Sequence, residues 1–249
     1  MSARELHTLA GTNELFRRGA EEFVRIAKHS FEDRGGFNVV LSGGSTPRGL
    51  FSLLAADEAL RAQVPWRKTN FFWGDERHVP PDHPDSNFRM AKEVLLSKLA
   101  VDPKRIWRIK GEIENTETAA EEYERTLIGH FYLAEVQLPR FDLVLLGMGP
   151  DGHTASLFPG TKALHEQEHR VVSNWVGKFD SDRITMTARV LNNAANIVFL
   201  VSGDDKAPAL KSVLEDPSEP EQLPAQLIRP VDGLLPWLAD RQAARLRKT

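Results

Sequence analysis

Short continuous apolar runs alternate along this chain with longer stretches in which apolar and polar residues follow a helical spacing. Between residues 12 and 34 the apolar positions lie three and four apart, which predicts an amphipathic helix ended by Gly35 and Gly36. The apolar runs predict strands within 37–41, 69–73, 141–147, 170–175, 182–187 and 195–201. Further helices are predicted within 48–55, 86–99, 116–134, 205–214 and 232–246.

Strands that are apolar throughout and alternate with helices are typical of an α/β fold. Such strands are buried on both faces, so we expect a mostly parallel sheet with helices on both faces. No linker-like segment interrupts residues 1–249, which favours a single domain. In open sheets of this kind a ligand binds beyond the carboxyl ends of the strands, and three glycine-rich or charged segments follow predicted strands here.

Composition narrows the class of protein. Hydrophobic residues make up 41% and charged residues 27% of 249, which indicates a folded globular chain. The absence of cysteine excludes disulfides, thiol nucleophiles and thiolate metal sites. A net charge of −3 does not favour nucleic acid as a partner, although a local basic pocket can still bind a small anion. No bilayer-length apolar run and no signal-peptide core are present, so we expect a cytoplasmic protein without a membrane partner.

The first of the three segments, SGGSTP at 42–47, joins a predicted strand to a helix. Gly43 and Gly44 let the backbone approach a ligand closely, and the following helix N-terminus with the hydroxyls of Ser45 and Thr46 is suited to phosphate. Pro47 fits the first helical position, with Thr46 as a cap. The alternative is a tight strand-to-helix turn without a ligand. The segment lacks the pattern of a Walker A loop and of a nucleophile elbow.

The second segment, GDERH at 74–78, places carboxylates and an arginine at the end of a strand. Arg77 is suited to bind phosphate or to stabilise an oxyanion, and Asp75 to hold that arginine or to act as a base. The alternative is a solvated, ion-paired turn.

The third segment, GMGPDGHT at 147–154, carries a candidate acid–base group. Histidine is the side chain most often used as a general acid or base, which makes His153 the candidate, and Asp151 lies close enough in the sequence to orient it. A capping aspartate beside a packed histidine is the alternative. The segment also matches the dinucleotide pattern GxGxxG, but Pro159 and Gly160 interrupt the chain before a full helix, and the next strand does not end in an acidic residue.

Other polar positions are weaker candidates. His165 and His169 match the zinc pattern HExxH, yet the segment lacks a sustained helix and is better explained as a surface turn. Arg183 and Lys206 are each placed to complete a phosphate site, with a surface salt bridge as the alternative. Two further cations are weaker versions of the same idea, namely Lys178 and Arg189.

Taken together, the segments resemble a known family. SGGSTPRGLF, FFWGDERHVPPDHPDSNFRMA and FDLVLLGMGPDGHTASLFPG, continued by RITMT and SGDDKA, are similar to the signature blocks of the 6-phosphogluconolactonase family. The resemblance implies a Rossmann-like fold and the hydrolysis of 6-phospho-D-glucono-1,5-lactone to 6-phospho-D-gluconate in the oxidative pentose phosphate pathway. It also implies a sugar-phosphate lactone as the partner, and no metal or organic cofactor. We expect a monomer or a weak homo-oligomer.

The wider superfamily offers an alternative activity. Glucosamine-6-phosphate deaminases share similar blocks, but the resemblance implies a glutamate where this chain has Phe158, and their strand-end motif lacks Arg77. Both departures favour the lactonase over a deaminase or sugar-phosphate isomerase. A regulator that binds sugar phosphates without catalysis is a third interpretation, and the presence of Asp151, His153 and Arg77 counts against it.

The lactonase interpretation gives each candidate a role. His153 is expected to activate water, Asp151 to orient the imidazole, and Arg77 to stabilise the carbonyl oxygen or bind phosphate, with Asp75 beside it. The phosphate is expected on Gly43, Gly44, Ser45, Thr46, Arg183 and Lys206.

Overall fold

Ten strands and seven α-helices lie within residues 5–247, the part of the chain that this computed structural model describes. The strands are β1 (Glu5–Leu9), β2 (Phe37–Leu41), β3 (Thr69–Trp73), β4 (Asp75–Arg77), β5 (Ile106–Trp107), β6 (Leu143–Gly147), β7 (Val171–Val176), β8 (Ser181–Met186), β9 (Ile197–Val201) and β10 (Pro236–Asp240). The helices are α1 (Thr12–Arg34), α2 (Ser45–Ala56), α3 (Glu58–Arg61), α4 (Asn87–Val94), α5 (Thr116–Phe131), α6 (Ala188–Asn192) and α7 (Ala207–Glu215). None of the described helices is long and apolar enough to cross a membrane.

Seven strands form one parallel sheet in the order β1-β10-β9-β6-β2-β3-β5. From β2 the chain moves to one edge through β3 and β5, and it then returns to the other side of β2 as β6. The direction of winding therefore reverses between β2 and β6. In parallel sheets such a reversal opens a crevice at the carboxyl ends of the two strands.

Helices cover both faces of this sheet, as the alternating pattern predicts. Neighbouring residues of a strand point to opposite faces, and the pair Phe71 and Phe72 shows what lies on each side. Phe71 stacks on Trp66, which in turn stacks on Phe23 of α1. Phe72 contacts Phe131 at the end of α5. The predicted α/β class with a mostly parallel sheet is thus confirmed.

A second, smaller sheet was not expected from the sequence. β7 and β8 form an antiparallel hairpin, and β4 pairs antiparallel with β8, with Arg77 opposite Arg183. Asp75–Arg77 is therefore a strand of this sheet rather than a solvated turn at a strand end. Gly74 connects the two sheets, since its N–H donates to the carbonyl of Leu41 and its carbonyl accepts from the N–H of Met186.

The predicted helix over 232–246 is wrong. Its centre is β10, inserted between β1 and β9, and turns follow from residue 241 to 247. Trp237, Leu238 and Ala239 are buried on both faces of the sheet, and a short run that is apolar on both faces has no period to distinguish strand from helix. The sequence analysis also missed β1 and the two-residue β5.

Most of the other elements agree with the predictions within a few residues, but the short helices α3 and α6 were not predicted. α1 ends where expected, with Gly35 in the left-handed conformation and its N–H bonded to the carbonyl of Phe31. Ser86 is the N-cap of α4, and its hydroxyl accepts from the N–H of Arg89. α5 is shorter than 116–134, because Tyr132 adopts the left-handed conformation after Phe131.

Candidate active site

A cleft opens beyond the carboxyl ends of β2, β3, β6 and β9, at the point where the sheet reverses its winding. Most of the residues that the sequence singled out line it together: Gly43, Gly44, Ser45, Thr46, Asp75, Arg77, His153 and Lys206. The other two, Asp151 and Arg183, are each adjacent to one of them. Asp151 bonds to His153, and Arg183 is the cross-strand partner of Arg77.

The glycine loop after β2 forms one wall of the cleft. Gly44 has φ +99° and ψ 169°, a conformation essentially reserved for glycine, and α2 begins at the next residue. Two details of the prediction are wrong. Pro47 is the third helical residue instead of the first, and Thr46 does not cap the helix, because its hydroxyl bonds to that of Ser202 at 2.8 Å.

His153 and Asp151 form a hydrogen-bonded pair on the loop after β6. His153 Nδ1 lies 2.5 Å from Asp151 Oδ1. An ionised carboxylate only accepts, so Nδ1 carries a proton in this bond, and in the neutral form of the ring Nε2 is the nitrogen with the free lone pair. No described residue is bonded to Nε2, and the ring lines the cleft. The pair thus offers a proton acceptor to a bound molecule.

Asp151 is held as an anion. Burial alone raises the pKa of its carboxyl, but the hydrogen bond from His153 and the ammonium of Lys178 together bring that pKa well below its usual range. Lys178 Nζ lies 2.9 Å from Asp151 Oδ2. The sequence analysis considered Lys178 as a weak phosphate candidate, whereas the structure places its ammonium on the carboxylate behind the histidine.

The glycines around His153 explain the accidental match to a dinucleotide pattern. A Cβ on Gly149 would lie 2.1 Å from both Nδ1 and Cε1 of His153, and Gly152 has φ +74°. These glycines shape the loop around the imidazole. No helix starts after them, since the chain continues in turns to Pro159. The helix N-terminus that would bind a pyrophosphate is therefore absent from this loop.

One face of the imidazole is covered by an aromatic ring. Phe158 stacks on His153 with 4.0 Å between ring centroids and 25° between planes. Phe158 itself contacts Phe179 edge-on at 5.6 Å. The backbone at Gly149 thus packs against the Nδ1–Cε1 edge of the imidazole, and the Phe158 ring packs against one of its faces.

Asp75 is buried and hydrogen-bonded to residues other than Arg77, the residue that it was predicted to hold. Its carboxylate accepts from Ser156 Oγ at 2.6 Å and from Asn87 Nδ2 at 3.4 Å, and it is only 6% exposed. No hydrogen bond or ion pair joins it to Arg77 in the described residues. Asn87, which the sequence analysis missed, lines the cleft between Asp75 and Gly43, where a Cβ on the glycine would lie 1.8 Å from the amide oxygen.

Glu76 is a second residue that the sequence analysis left without a role. Its buried carboxylate accepts from the N–H groups of Arg77, Asn87 and Phe88 and from the hydroxyl of Ser86, at 2.7–3.1 Å. Burial raises the pKa of this carboxyl, and the backbone donors offset part of that effect. Glu76 thereby anchors the N-terminus of α4 and, with it, Asn87.

Two arginines lie side by side at the edge of the cleft. Arg77 donates to the carbonyl of Asp85, and Arg183 to Ser181 Oγ and the carbonyl of Asp182, so neither guanidinium has a carboxylate partner among the described residues. Burial and then the neighbouring Arg77 lower the pKa of Arg183. Adjacent guanidinium groups that lack an ion-pair partner are suited to an anion with more than one negative charge.

Lys206 and Ser42 complete the cleft. Lys206 lines it from the segment after β9, with its ammonium 2.7 Å from Asp205 Oδ2. Ser42 also lines it, and its buried hydroxyl has no hydrogen-bond partner among the described residues. Both offer donors to a bound molecule.

The HExxH segment does not form a metal site in the structure. His165 ends a short 3-10 turn (Lys162–His165) and pairs with Glu221, whereas His169 faces Glu124. Across residues 5–247 no group of three histidine, aspartate or glutamate side chains is arranged to hold a metal ion.

The fold and the cleft define an α/β protein with a histidine–aspartate pair beside a glycine loop and several cations, at the carboxyl edge of a parallel sheet. The family model described as glucosamine-6-phosphate isomerases/6-phosphogluconolactonase matches residues 10–237, and the chain belongs to this family.

Individual relatives agree with this assignment. The chain is 41% identical over 221 residues to a 6-phosphogluconolactonase of Synechocystis sp., covering 88% of both chains. It is 40% identical to a probable 6-phosphogluconolactonase 1 of Arabidopsis thaliana, covering 88% of this chain and 85% of the relative. The solved 6-phosphogluconolactonase of Trypanosoma cruzi is similar with a TM-score of 0.87 at 27% identity, over 100% of this chain and 99% of that one.

The fold also resembles that of a monomeric glucosamine-6-phosphate deaminase, with a TM-score of 0.79 over 98% of this chain and all of that one. At 20% identity this likeness concerns the fold alone.

Proposed function

We propose that this protein hydrolyses 6-phospho-D-glucono-1,5-lactone to 6-phospho-D-gluconate. The observation that carries the proposal is the position of His153, whose Nε2 is unpaired among the described residues in a cleft shared with the glycine loop. That cleft combines a proton acceptor with donors suited to a phosphate. The relatives named as 6-phosphogluconolactonases support the same reaction.

His153 acts as the general base. Its Nε2 takes a proton from water as the water oxygen attacks C1 of the lactone, and Asp151 stabilises the imidazolium that results. The C1–O5 bond then breaks, and the imidazolium returns the proton to O5, which becomes the C5 hydroxyl. The product carboxylic acid loses a proton to solvent. A well-placed base contributes about 10²–10⁴-fold to such a step.

The substrate phosphate anchors the lactone. The N–H groups at the start of α2, the hydroxyl of Ser45 and the cations Arg183 and Lys206 bind the dianion, and Gly43 and Gly44 let the backbone approach it. Arg77 lies beside Arg183, where it binds the same dianion or faces the carbonyl oxygen as charge develops. An anchor remote from C1 reduces the entropy that the attack must overcome.

A glucosamine-6-phosphate deaminase is the alternative within the family. The position at which the family resemblance implies a deaminase glutamate is Phe158, and its ring stacks on His153. No carboxylate is therefore supplied there to complete a catalytic group with the imidazole. This contact favours the lactonase.

The test is an assay on freshly prepared lactone, coupled to 6-phosphogluconate dehydrogenase, with a no-enzyme blank because the lactone opens spontaneously. We expect His153→Ala to lower kcat about 10²–10⁴-fold with little change in KM. Activity equal to the blank in the wild type, or release of ammonia from glucosamine 6-phosphate, contradicts the lactonase proposal. A raised KM with unchanged kcat in the variant would give His153 a binding role instead.

A further inference from the structure

The turn between β7 and β8 reaches the histidine–aspartate pair from the second sheet. We define residues 177–180 as the hairpin tip. It consists of a 3-10 turn (Gly177–Phe179) closed by a hydrogen bond from the N–H of Asp180, a residue in the left-handed conformation, to the carbonyl of Gly177. The tip is therefore a defined turn, and two of its side chains reach this region: Lys178 contacts Asp151, and Phe179 contacts the Phe158 ring that stacks on His153.

Lys178 makes the first contact. Its Nζ lies 2.9 Å from Asp151 Oδ2, while Oδ1 of the same carboxylate bonds to His153 Nδ1. With both oxygens engaged, the carboxylate cannot rotate without breaking one of the two bonds. A surface ion pair usually contributes little, but here the side chain of Asp151 is only 26% exposed and the pair continues into the imidazole.

Phe179 makes the second contact. Its ring meets Phe158 edge-on, and Phe158 stacks on His153. Phe179 is 46% exposed, so its position is not explained by burial in the core. Its ring instead lies 5.3 Å from the guanidinium carbon of Arg183, which ties it to the pair of arginines at the cleft.

We infer that the hairpin tip positions His153, with Lys178 as a positioning residue that acts through Asp151. Lys178 fixes the carboxylate, the carboxylate fixes the Nδ1 side of the ring, and Phe179 supports the Phe158 ring that covers its face. Nε2 is thereby held toward the cleft. In this arrangement the ammonium of Lys178 is paired with Asp151. The kinetic part of this inference rests on the proposed function.

The kinetic test uses Lys178→Met, with Lys178→Arg as the conservative variant. We expect Lys178→Met to lower kcat about tenfold at an unchanged KM, because a misplaced base costs up to about 10²-fold. Lys178→Arg keeps a cation beside Asp151, so it should retain most of the wild-type kcat. Lys110→Met is the matched control, since it removes the ammonium of a Lys–Glu pair of similar exposure on the protein surface. It should leave both constants unchanged.

A double-mutant cycle tests whether Lys178 acts on His153 through Asp151. In an Asp151→Asn background, Lys178→Met should produce no further loss of kcat, because its target carboxylate is already gone. Independent, multiplicative losses overturn the inference, as does a raised KM at unchanged kcat, which would make Lys178 a phosphate ligand. A variant that behaves like Lys110→Met overturns it too.

A proton NMR measurement keeps the inference testable whatever the reaction is. The hydrogen-bonded Nδ1 proton of His153 is identified as the downfield signal that His153→Ala removes. We expect Lys178→Met to shift or broaden this signal and Lys110→Met to leave it in place. An unchanged signal in Lys178→Met overturns the positioning role, whereas absence of lactonase activity with a shifted signal overturns only the proposed function.

Discussion

At the scale of single residues, three contacts determine the orientation of the His153 imidazole and the nitrogen that carries its proton. Asp151 sets which nitrogen carries the proton, Phe158 covers one face, and Gly149 leaves no room for the ring to move toward the backbone. Gly149 is not in a left-handed conformation, so its role is the close approach alone. The glycine at 149 and the carboxylate at 151 are thus both explained by their contacts with the His153 side chain.

Replacing Gly149 tests this directly. We expect Gly149→Ala to lower kcat about 10²-fold at an intact fold, because its Cβ would lie 2.1 Å from His153 Nδ1 and displace the ring. Steady-state kinetics and circular dichroism measure both parts. Gly129→Ala on α5, where a Cβ meets nothing within 4 Å, is the control. Full activity in Gly149→Ala would show that the ring tolerates another position.

At the scale of elements, most of what surrounds the cleft was predictable, and the exceptions share a cause. The strands with glycine-rich ends follow from local patterns, and the carboxyl ends of parallel strands meet at one edge of the sheet, so Gly44 and His153 could be expected in the same cleft. Asn87 and Lys178 act on residues 12 and 27 positions away, through contacts that only the folded chain creates. Local periodicity carries no information about such contacts, and it also fails for β10, which is apolar on both faces.

The N-terminus of α4 is anchored by a carboxylate from another element, the side chain of Glu76. Glu76 in β4 accepts from the first two N–H groups of α4, and burial raises the pKa of its carboxyl. A raised pKa means that the folded state binds this proton more tightly than the unfolded chain does. The associated stability is present below the ordinary value of 4.5 and is lost as pH rises through the folded value.

We therefore expect Glu76→Gln to lower the free energy of unfolding by about 1–3 kcal/mol, since the amide nitrogen cannot accept from a buried N–H. The loss relative to wild type should be larger at pH 4 than at pH 7.5, because glutamine does not titrate. Urea unfolding at the two pH values measures it. Exposed Glu121→Gln is the control and should change little. A loss that shrinks at pH 4 would contradict the raised pKa.

At the scale of the whole molecule, the cleft joins the two sheets. Its lining comes from loops of the large sheet after β2, β6 and β9 and from β4 of the small one. The chain carries a net charge of −3, yet the cleft gathers Arg77 and Lys206, with Arg183 beside them. Under the proposed binding mode the phosphate dianion would contact both sheets, so its binding should stabilise the protein as a unit.

Thermal unfolding with 6-phosphogluconate tests this bridging. At about 100 times its Kd, a ligand of the native state adds roughly 2.7 kcal/mol, which for a chain of this size raises Tm by about 5–10 °C. Gluconate, which lacks the phosphate, should give no shift at the same concentration, and Arg183→Ala should reduce the effect of the phosphorylated ligand. Equal shifts with both sugars would remove the phosphate from the proposed binding mode.

The order of strands in the large sheet also has a consequence for synthesis on the ribosome. β1 leaves the exit tunnel first of all the described strands, and its neighbour β10 leaves last, so β10 enters the sheet between β1 and β9 only when the others are already outside. Because the chain is synthesised at about 5–20 residues per second, β1 lies outside the tunnel for some tens of seconds before β10 can pair with it. Until then β1 lacks the strand that pairs with it in the sheet, and an unpaired strand edge is prone to pair with other chains.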